Sequence, residues 1–391
     1  MQRGDLLIEK SGGGDQQPVG MVVLYDHDET AVCSNFVARM PARNGFDPRF
    51  LVYMHEYLYE IRLNARSIKQ TTGIQNLDST AYLHERFAFP PPSEQIAIAG
   101  FLDYACGLIR KYINAKTRLM ALLGDQRNAI IHRAVTRGLT NQAGLRPSGV
   151  PWLGDVPEHW TIWRSKRLFR PRKELARPSD VQLSATQAYG VIPQAEYEKR
   201  IGRKVTKINM HLQKRRHVEL GDFVISMRSF QGGLERAWAA GCIRSSYVVL
   251  RPGEHIDVDF FSYVFKSRAY IGALQSTANF IRDGQDLNFD NFAAVDLAVP
   301  PIDEQRSIAC DVRAAIATGV KTEGRARKEI DLLRELRARL IADVVRGKLD
   351  VRNAAAGLSD LESIAATDDL ELLDLDDPAA DELSDSDEDL E

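Results

Sequence analysis

Long apolar runs are missing from this 391-residue chain: no stretch of 18 residues is apolar throughout, and no short apolar region marks a cleavable leader. Neither a membrane-spanning helix nor secretion is indicated. Cysteine is scarce. Its four residues, Cys33, Cys106, Cys242 and Cys310, show no CxxC spacing, which argues against a disulfide frame or a zinc site and for reduced thiols in a cytoplasmic protein. Catalytic signatures are also lacking: there is no GxxxxGK[ST] loop, no HExxH, no strand followed by GxGxxG, and no Asn/Asp-Pro-Pro-aromatic motif of amino-methyltransferases. Glycines 12–14 run into Asp15 and a proline-containing turn, a loop rather than a cofactor cradle. Asp26-His27-Asp28-Glu29 has the groups to hold a metal but reads first as a solvated hairpin turn. The expectation is a non-catalytic chain with no metal and no cofactor of its own.

Basic residues are absent from one end. Residues 357–391 carry 15 acidic groups and no Lys or Arg, so the formal charge of −3 hides a body with 51 basic against 39 acidic residues, about +12. That balance suits nucleic acid, though an acidic protein or an anionic membrane surface fits it as well. The acidic end, thin in hydrophobic residues and without aromatics, is expected to be a disordered tail, either solubilising or competing with nucleic acid for a basic surface.

What the chain does contain is a repeat. Pro90, Pro91, Glu94, Gln95, Ile98 and Ala99 meet Pro300, Pro301, Glu304, Gln305, Ile308 and Ala309 at an offset of 210. Val135, Arg137 and Gly138 meet Val344, Arg346 and Gly347 at an offset of 209. Each proline pair opens about 48 residues free of proline with helical periodicity, predicting long helices over 90–139 and 300–349. The repeat extends upstream: Gly221-Asp222-Phe223-Val224-Ile225 echoes Gly4-Asp5-Leu6-Leu7-Ile8, and Ile256-Asp257, Phe260 and Tyr263 echo Phe46-Asp47, Phe50 and Tyr53. Gln285 and Leu287 stand opposite Gln75 and Leu77. A tandem of mixed domain plus long helix implies pseudo-two-fold symmetry.

The first copy opens abruptly. It reads as a turn and strand at 4–8, a hairpin from glycines 12–14 and the apolar run 19–24, a further strand at 33–40, a helix over 50–68 and a polar stretch at 70–77. Only three residues precede Gly4, whereas the second copy has roughly 69 before Gly221, so the front of the first domain is expected to be missing. The Pro/Gly-rich residues 146–160, RPSGVPWLGDVPEHW, read as a domain boundary. Strands are expected at 221–227 and 246–250.

The helices carry coiled-coil stripes. Cys106, Ile113 and Met120 form one seven-residue row, with Leu102, Ile109, Leu123 and Ile130 beside it and Lys116 interrupting. In the second helix Val312, Ile316, Ala326, Ile330, Leu333, Leu340 and Val344 keep alternating three and four spacing, with Glu323 and Arg337 in the seam. Similar helices in one chain are natural antiparallel partners, and about 44 residues span roughly 66 Å, enough for a ruler holding two domains apart. Ordinary bundle helices and a dimerisation coil between chains are the competing readings.

Two basic concentrations stand at 164–173 and 199–216. Lys199, Arg200, Arg203, Lys204, Lys207, Lys214, Arg215 and Arg216 place eight cations within 18 residues, a density suited to neutralising phosphates. Such a run is otherwise a solvated face. Arg282 and Gln285 lie in a polar loop from which a glutamine amide can pair with an adenine edge, or simply close a turn.

Two globular units, each followed by a helix opening on PPxxEQ and the first ending on VTRGL, joined through PSGVPWLGDVPEHW, resemble the specificity subunit of type I restriction-modification systems over roughly residues 1–350. The resemblance implies an α+β fold: two mixed α/β target-recognition domains, the first incomplete, separated by an antiparallel coiled coil of two long helices. It divides the chain into a partial first recognition domain (1–89), first spacer helix (90–140), connector (141–160), second recognition domain (152–299), second spacer helix (300–350) and tail (351–391). It implies double-stranded DNA as ligand, read as a bipartite target. The implied partners are adenine methyltransferase subunits docked on the helices and restriction/translocase subunits. S-adenosylmethionine, ATP and Mg are expected on those partners, not on this chain.

The departure is the missing counterpart of 152–220 in the first copy, which leaves a misplaced start codon, a split gene, a truncated gene or a compact domain as explanations. The alternatives to DNA recognition are a coiled-coil interaction scaffold that touches no DNA, and a truncated remnant.

Overall fold

The computed structural model describes residues 1–14, 17–70, 74–138, 144–205, 214–226, 229–277 and 288–357. It is a mixed α+β chain dominated by two long helices, Pro92–Arg137 and Ile302–Val345, each beginning two residues later than the first proline of its pair predicts. The chain divides into two compact units. The first comprises 1–120 with 324–391, the second 121–323. Each long helix therefore contributes a part to each unit.

In the first unit Leu6–Glu9 is the central strand of an antiparallel sheet, flanked by Val22–Leu24 and Val37–Met40. Alternation buries Leu6 and Ile8. The residues around 70–77 are not merely polar loop: Ile68–Gln70 and Gln75–Leu77 pair as strands, and Ser11–Gly12 joins them. Gln75 is buried there, its amide oxygen accepting from the Val19 N–H at 3.2 Å. The helix expected over 50–68 spans Pro48–Glu60 and gives way to a 3-10 turn, Leu63–Ser67, at Arg62, which takes a left-handed φ of 58°. Asp47 caps that helix by accepting from the Arg49 and Phe50 N–H groups, with Pro48 at its first position. Phe50, Tyr53, Met54 and Leu58 face inward at helical spacing and meet Ile98, Ala99, Leu102 and Cys106 of the first long helix and Ile341, Val344 and Val345 of the second. Early residues of one helix thus lie beside late residues of the other, the antiparallel arrangement. The seam's polar interruption is paired here, Lys116 with Glu329 at 2.7 Å.

The second unit holds the antiparallel sheet Phe169–Pro171, Val248–Pro252, Phe223–Ile225, Glu235–Arg236. Its core is aromatic: Trp160, Phe169, Phe223, Phe260, Phe261, Phe265, Tyr270 and Phe292 are all buried. A second core of Leu183, Val191, Val218, Val224, Ala237, Ile243 and Val249 lies under two hairpin-like ribbons. The Pro/Gly-rich 146–160 stretch is a folded piece of this unit. Leu145–Pro147 pairs with Asp155–Pro157, and Leu153, Val156 and Trp160 enter the aromatic core. Here too the long helices run antiparallel: Val135 shares a core with Ile308, and Arg127 donates to Glu323 at 2.8 Å.

The repeat is geometric as well as sequential. Gln95 Oε1 accepts from the Asp47 N–H at 3.0 Å and its amide donates to Pro90 O at 2.9 Å. Gln305 does the same with Asp257 at 2.8 Å and Pro300 at 2.9 Å. Gly4 and Gly221 open the equivalent strands with φ of 91° and 86°, a region closed to most side chains.

Candidate nucleic-acid interface

Among the described residues no group of His, Cys, Asp and Glu is arranged to hold a metal ion. Asp26 and Asp28 are instead ion-paired with Arg3 at 2.8 and 2.9 Å. No described helix is long and apolar enough to cross a membrane.

The basic segment of the second unit begins on the helix Gln194–Ile201, which ends at Gly202 in a left-handed conformation of φ 71°. Lys199, Arg200, Arg203 and Lys204 are exposed around that C-terminus, where the helix dipole favours cations. Glu198 holds the turn by accepting from the Val205 N–H at 3.2 Å. Arg200 is itself engaged, with Glu196 at 2.5 Å and stacked over Tyr189 at 4.7 Å. Lys214 is exposed and Arg216 half-buried on the strand Arg216–Val218. Arg215 is buried and interacts with Cys242. A side chain so placed supports the hairpin rather than reaching a phosphate. Lys207, Arg282 and Gln285 lie outside the described residues.

An ion network fixes this strand from behind. His217 is buried between Asp180 and Glu219, both at 2.8 Å. Burial alone would lower its pKa, but the bonds to the two carboxylates outweigh it and the imidazole is held above its ordinary value, favouring the cation. Arg172 forks onto Asp222 at 2.7 and 3.0 Å nearby.

Sequence reasoning missed the aromatic edge of this surface. Tyr189 ends the tight connection between Leu183–Thr186 and Gly190–Pro193, a turn closed by Thr186, whose hydroxyl donates to Gly190 O and accepts from the Tyr189 N–H, each at 3.0 Å. Trp238 sits against the same turn: its backbone N–H donates to Val191 O, and a Cβ at Gly190 would lie 2.8 Å from the indole nitrogen. Tyr189 is 37% and Trp238 53% exposed, and each has a guanidinium stacked on it, with Arg236 at 4.1 Å over Trp238. Arg236 is anchored in turn by Asp259. Two partly exposed aromatic rings, each with a guanidinium on one face, together with the exposed Lys199, Arg203 and Lys204 give a surface able to contact bases and neutralise phosphates. The signal in sequence is slight, because 189 and 238 are 49 positions apart and only strand pairing unites them.

Of the helix residues, Leu102, Ile109, Ile330 and Val344 are buried, while Ile113, Met120, Leu123, Ile130, Ile316, Leu333 and Leu340 are half-buried. The first unit joins Leu102 to Val344 and Leu340 in one cluster.

No family model matches the chain, and no curated protein sequence does. Solved structures do. One from work on complex assembly and conformational transition of the type I restriction-modification system aligns over 89% of this chain and 83% of its own, at 14% identity and a TM-score of 0.60. The HsdS subunit from Thermoanaerobacter tengcongensis aligns over 89% and 82% at 16% identity, with a TM-score of 0.42. The S subunit from M. genitalium aligns over 88% and 83% at 15%, with a TM-score of 0.36. At the TM-score of 0.60, the chain resembles a type I restriction-modification protein in its α+β fold.

Proposed function

We propose that the chain is the DNA-recognition subunit of a type I restriction-modification complex, itself non-catalytic, which binds double-stranded DNA and docks adenine methyltransferase subunits through its long helices. The observation that carries the reading is the fold shared with a type I restriction-modification structure over 89% of the chain. The exposed cations at 199–204 beside Tyr189 and Trp238 give the second unit a surface of the chemistry DNA requires. Lys199, Arg203, Lys204 and Lys214 contact phosphates in this reading, and the aromatic edge faces the bases. The paired repeats fit a bipartite target. The methyl donor, ATP and Mg belong to the partner chains, as do the restriction/translocase activities.

The test is a mobility-shift titration of the complex carrying the full chain across a range of salt. Affinity that falls steeply with salt, and that differs among duplex sequences at one salt, supports the reading. Binding indifferent to both would leave the coiled-coil scaffold as the better account.

A further inference from the structure

The first long helix carries a second apolar stripe besides the one that meets its partner helix. Phe101, Ala105, Leu108, Tyr112, Ala115 and Leu119 recur at alternating four and three spacing, the period of a coiled-coil seam. Phe101 and Ala105 are half-buried, but Leu108 is 39%, Tyr112 62% and Leu119 37% exposed. Lys116, one turn from both Tyr112 and Leu119, bridges to Glu329 of the second helix at 2.7 Å. At i+3 and i+7 from Glu329 stand Leu332 and Leu336, 64% and 53% exposed. Within the first unit the helix pair thus turns one apolar face, drawn from both helices, to solvent. Its rim is basic. Lys111 and Arg118 border the stripe on the first helix, and Arg325 and Lys328 precede Leu332 by seven and four on the second; all four are exposed, and among the described residues none forms an ion pair. The carboxylates on the face and rim are Glu329, paired with Lys116, Glu335, paired with Arg339 at 2.5 Å, and the exposed Asp343. Six cations against three carboxylates leave the face net cationic by about three charges. An acidic amphipathic helix has the complementary chemistry.

The chain carries such a segment beyond the described residues. Leu358, Leu361, Ala365, Asp368, Leu372 and Leu375 keep alternating three and four spacing, and Pro378 ends it. Residues 358–377 hold eight carboxylates and no Lys or Arg. The place where the segment leaves the fold also fits. Val351, just before the last described helix Arg352–Ala356, is buried in the core against which Phe101, the first residue of the stripe, packs. From Phe101 to Leu119 the stripe runs about 27 Å at 1.5 Å per residue, and a helix from Leu358 to Leu375 runs about 26 Å. A tethered segment of this kind meets its site at an effective concentration on the millimolar scale. A second copy of the chain would instead set one basic rim against another.

We propose that residues 358–377 pack as a third helix along this face of their own chain, parallel to the first long helix, with Leu361, Leu372 and Leu375 on the apolar stripe and carboxylates on the basic rim. Counted from Phe101, that register brings Asp368, the one polar residue of the segment's stripe, level with Lys111. The tail is then an internal cover for one face of the helix pair, and any other helix that needs this face has to displace it. The docking rests on the helix pair alone and stands whether or not the chain recognises DNA.

The experiment uses the full chain with a photo-crosslinking benzoylphenylalanine in place of Tyr112, and in a second preparation in place of Asn114, an exposed position off the stripe on the same helix. Both are irradiated at low salt and mapped by mass spectrometry. Crosslinks from position 112 into residues 361–375 are expected, with about tenfold fewer from position 114, which the helical period turns away from the face. The variant Leu361→Ser/Leu372→Ser/Leu375→Ser keeps every charge and alters none of the described residues, and it should lower the yield from position 112 by about tenfold or more. Lys111→Ser/Arg118→Ser should lower it about threefold. Equal tail crosslinking from 112 and 114, a yield unchanged by the leucine replacements, crosslinks formed mainly between isotopically distinct copies, or none to the tail would each overturn the proposal.

Discussion

Arg49 donates to Asp103 at 2.9 Å, and 210 positions along the chain the same pair recurs with its charges exchanged, Arg313 donating to Asp259 at 2.9 Å. A tyrosine accompanies both: Tyr53 donates to Asp103 at 2.8 Å, and Tyr263 hydrogen-bonds with Arg313. The two repeats have thus kept the pairing between domain helix and long helix while reversing its polarity. Asp103→Arg should destabilise the first unit by about 1–2 kcal/mol through like-charge repulsion from Arg49, and adding Arg49→Asp should recover about 1 kcal/mol. Urea unfolding of the single and double variants measures this coupling.

Gln95 and Gln305 are almost wholly buried and fully bonded. Replacing Gln95 by Leu leaves the Asp47 N–H and the Pro90 carbonyl without partners. A loss of about 3 kcal/mol is expected, and a larger one for Gln305→Leu, which also frees the carbonyl of His255. Similar melting temperatures for Gln95→Leu and wild type would contradict this account of the repeat.

Two histidines give opposite pH dependence. His55 is buried with its Nδ1 2.8 Å from the Tyr82 hydroxyl, and desolvation lowers its pKa from 6.5 to about 4. The unfolded chain therefore binds the proton first as pH falls. The stability conferred by neutral His55 is fully present above pH 6.5 and is lost on the way to pH 4, by roughly 3 kcal/mol. For His217 the folded pKa is raised, so its stabilisation is present below about 6.5 and fades as pH rises through the folded value. Comparing wild type with His55→Gln and His217→Gln across pH 4–8 should show difference curves of opposite slope.

The cations and the aromatic edge should separate in DNA binding. Changing Lys199, Arg203 and Lys204 to Ser is expected to weaken binding to every duplex and to lower the salt slope by about 0.9 for each phosphate no longer neutralised. Trp238→Ala and Tyr189→Ala should leave the slope in place and reduce preference for the favoured sequence by about tenfold. Equal weakening on all sequences from the aromatic changes would place Trp238 and Tyr189 away from the bases.

The helices and the repeat were legible because proline pairs, apolar stripes and the recurring Glu-Gln lie in local sequence, where spacing is itself the geometry. Residues 146–160 were less so. Their proline and glycine content signals a break, yet Leu153, Val156 and Trp160 pack into the aromatic core, and composition does not reveal what a turn rests on. Within the basic run charge concealed direction: Arg215, just before the strand Arg216–Val218, and His217 on it are both buried, while Lys214 is exposed. Period-two alternation would have separated them. The Tyr189–Trp238 edge had no local signal, since it arises from pairing of distant strands.

The central claim is sequence-specific DNA recognition, and it is tested most directly by selection from random duplex DNA. The complex carrying the full chain is purified from its own cells, challenged with the library, and the recovered molecules sequenced. Enrichment of one common target, reduced about tenfold when Tyr189 and Trp238 are replaced by Ala, is the predicted result. Recovery of no common sequence, or of the same sequence equally enriched by wild type and that variant, would contradict it.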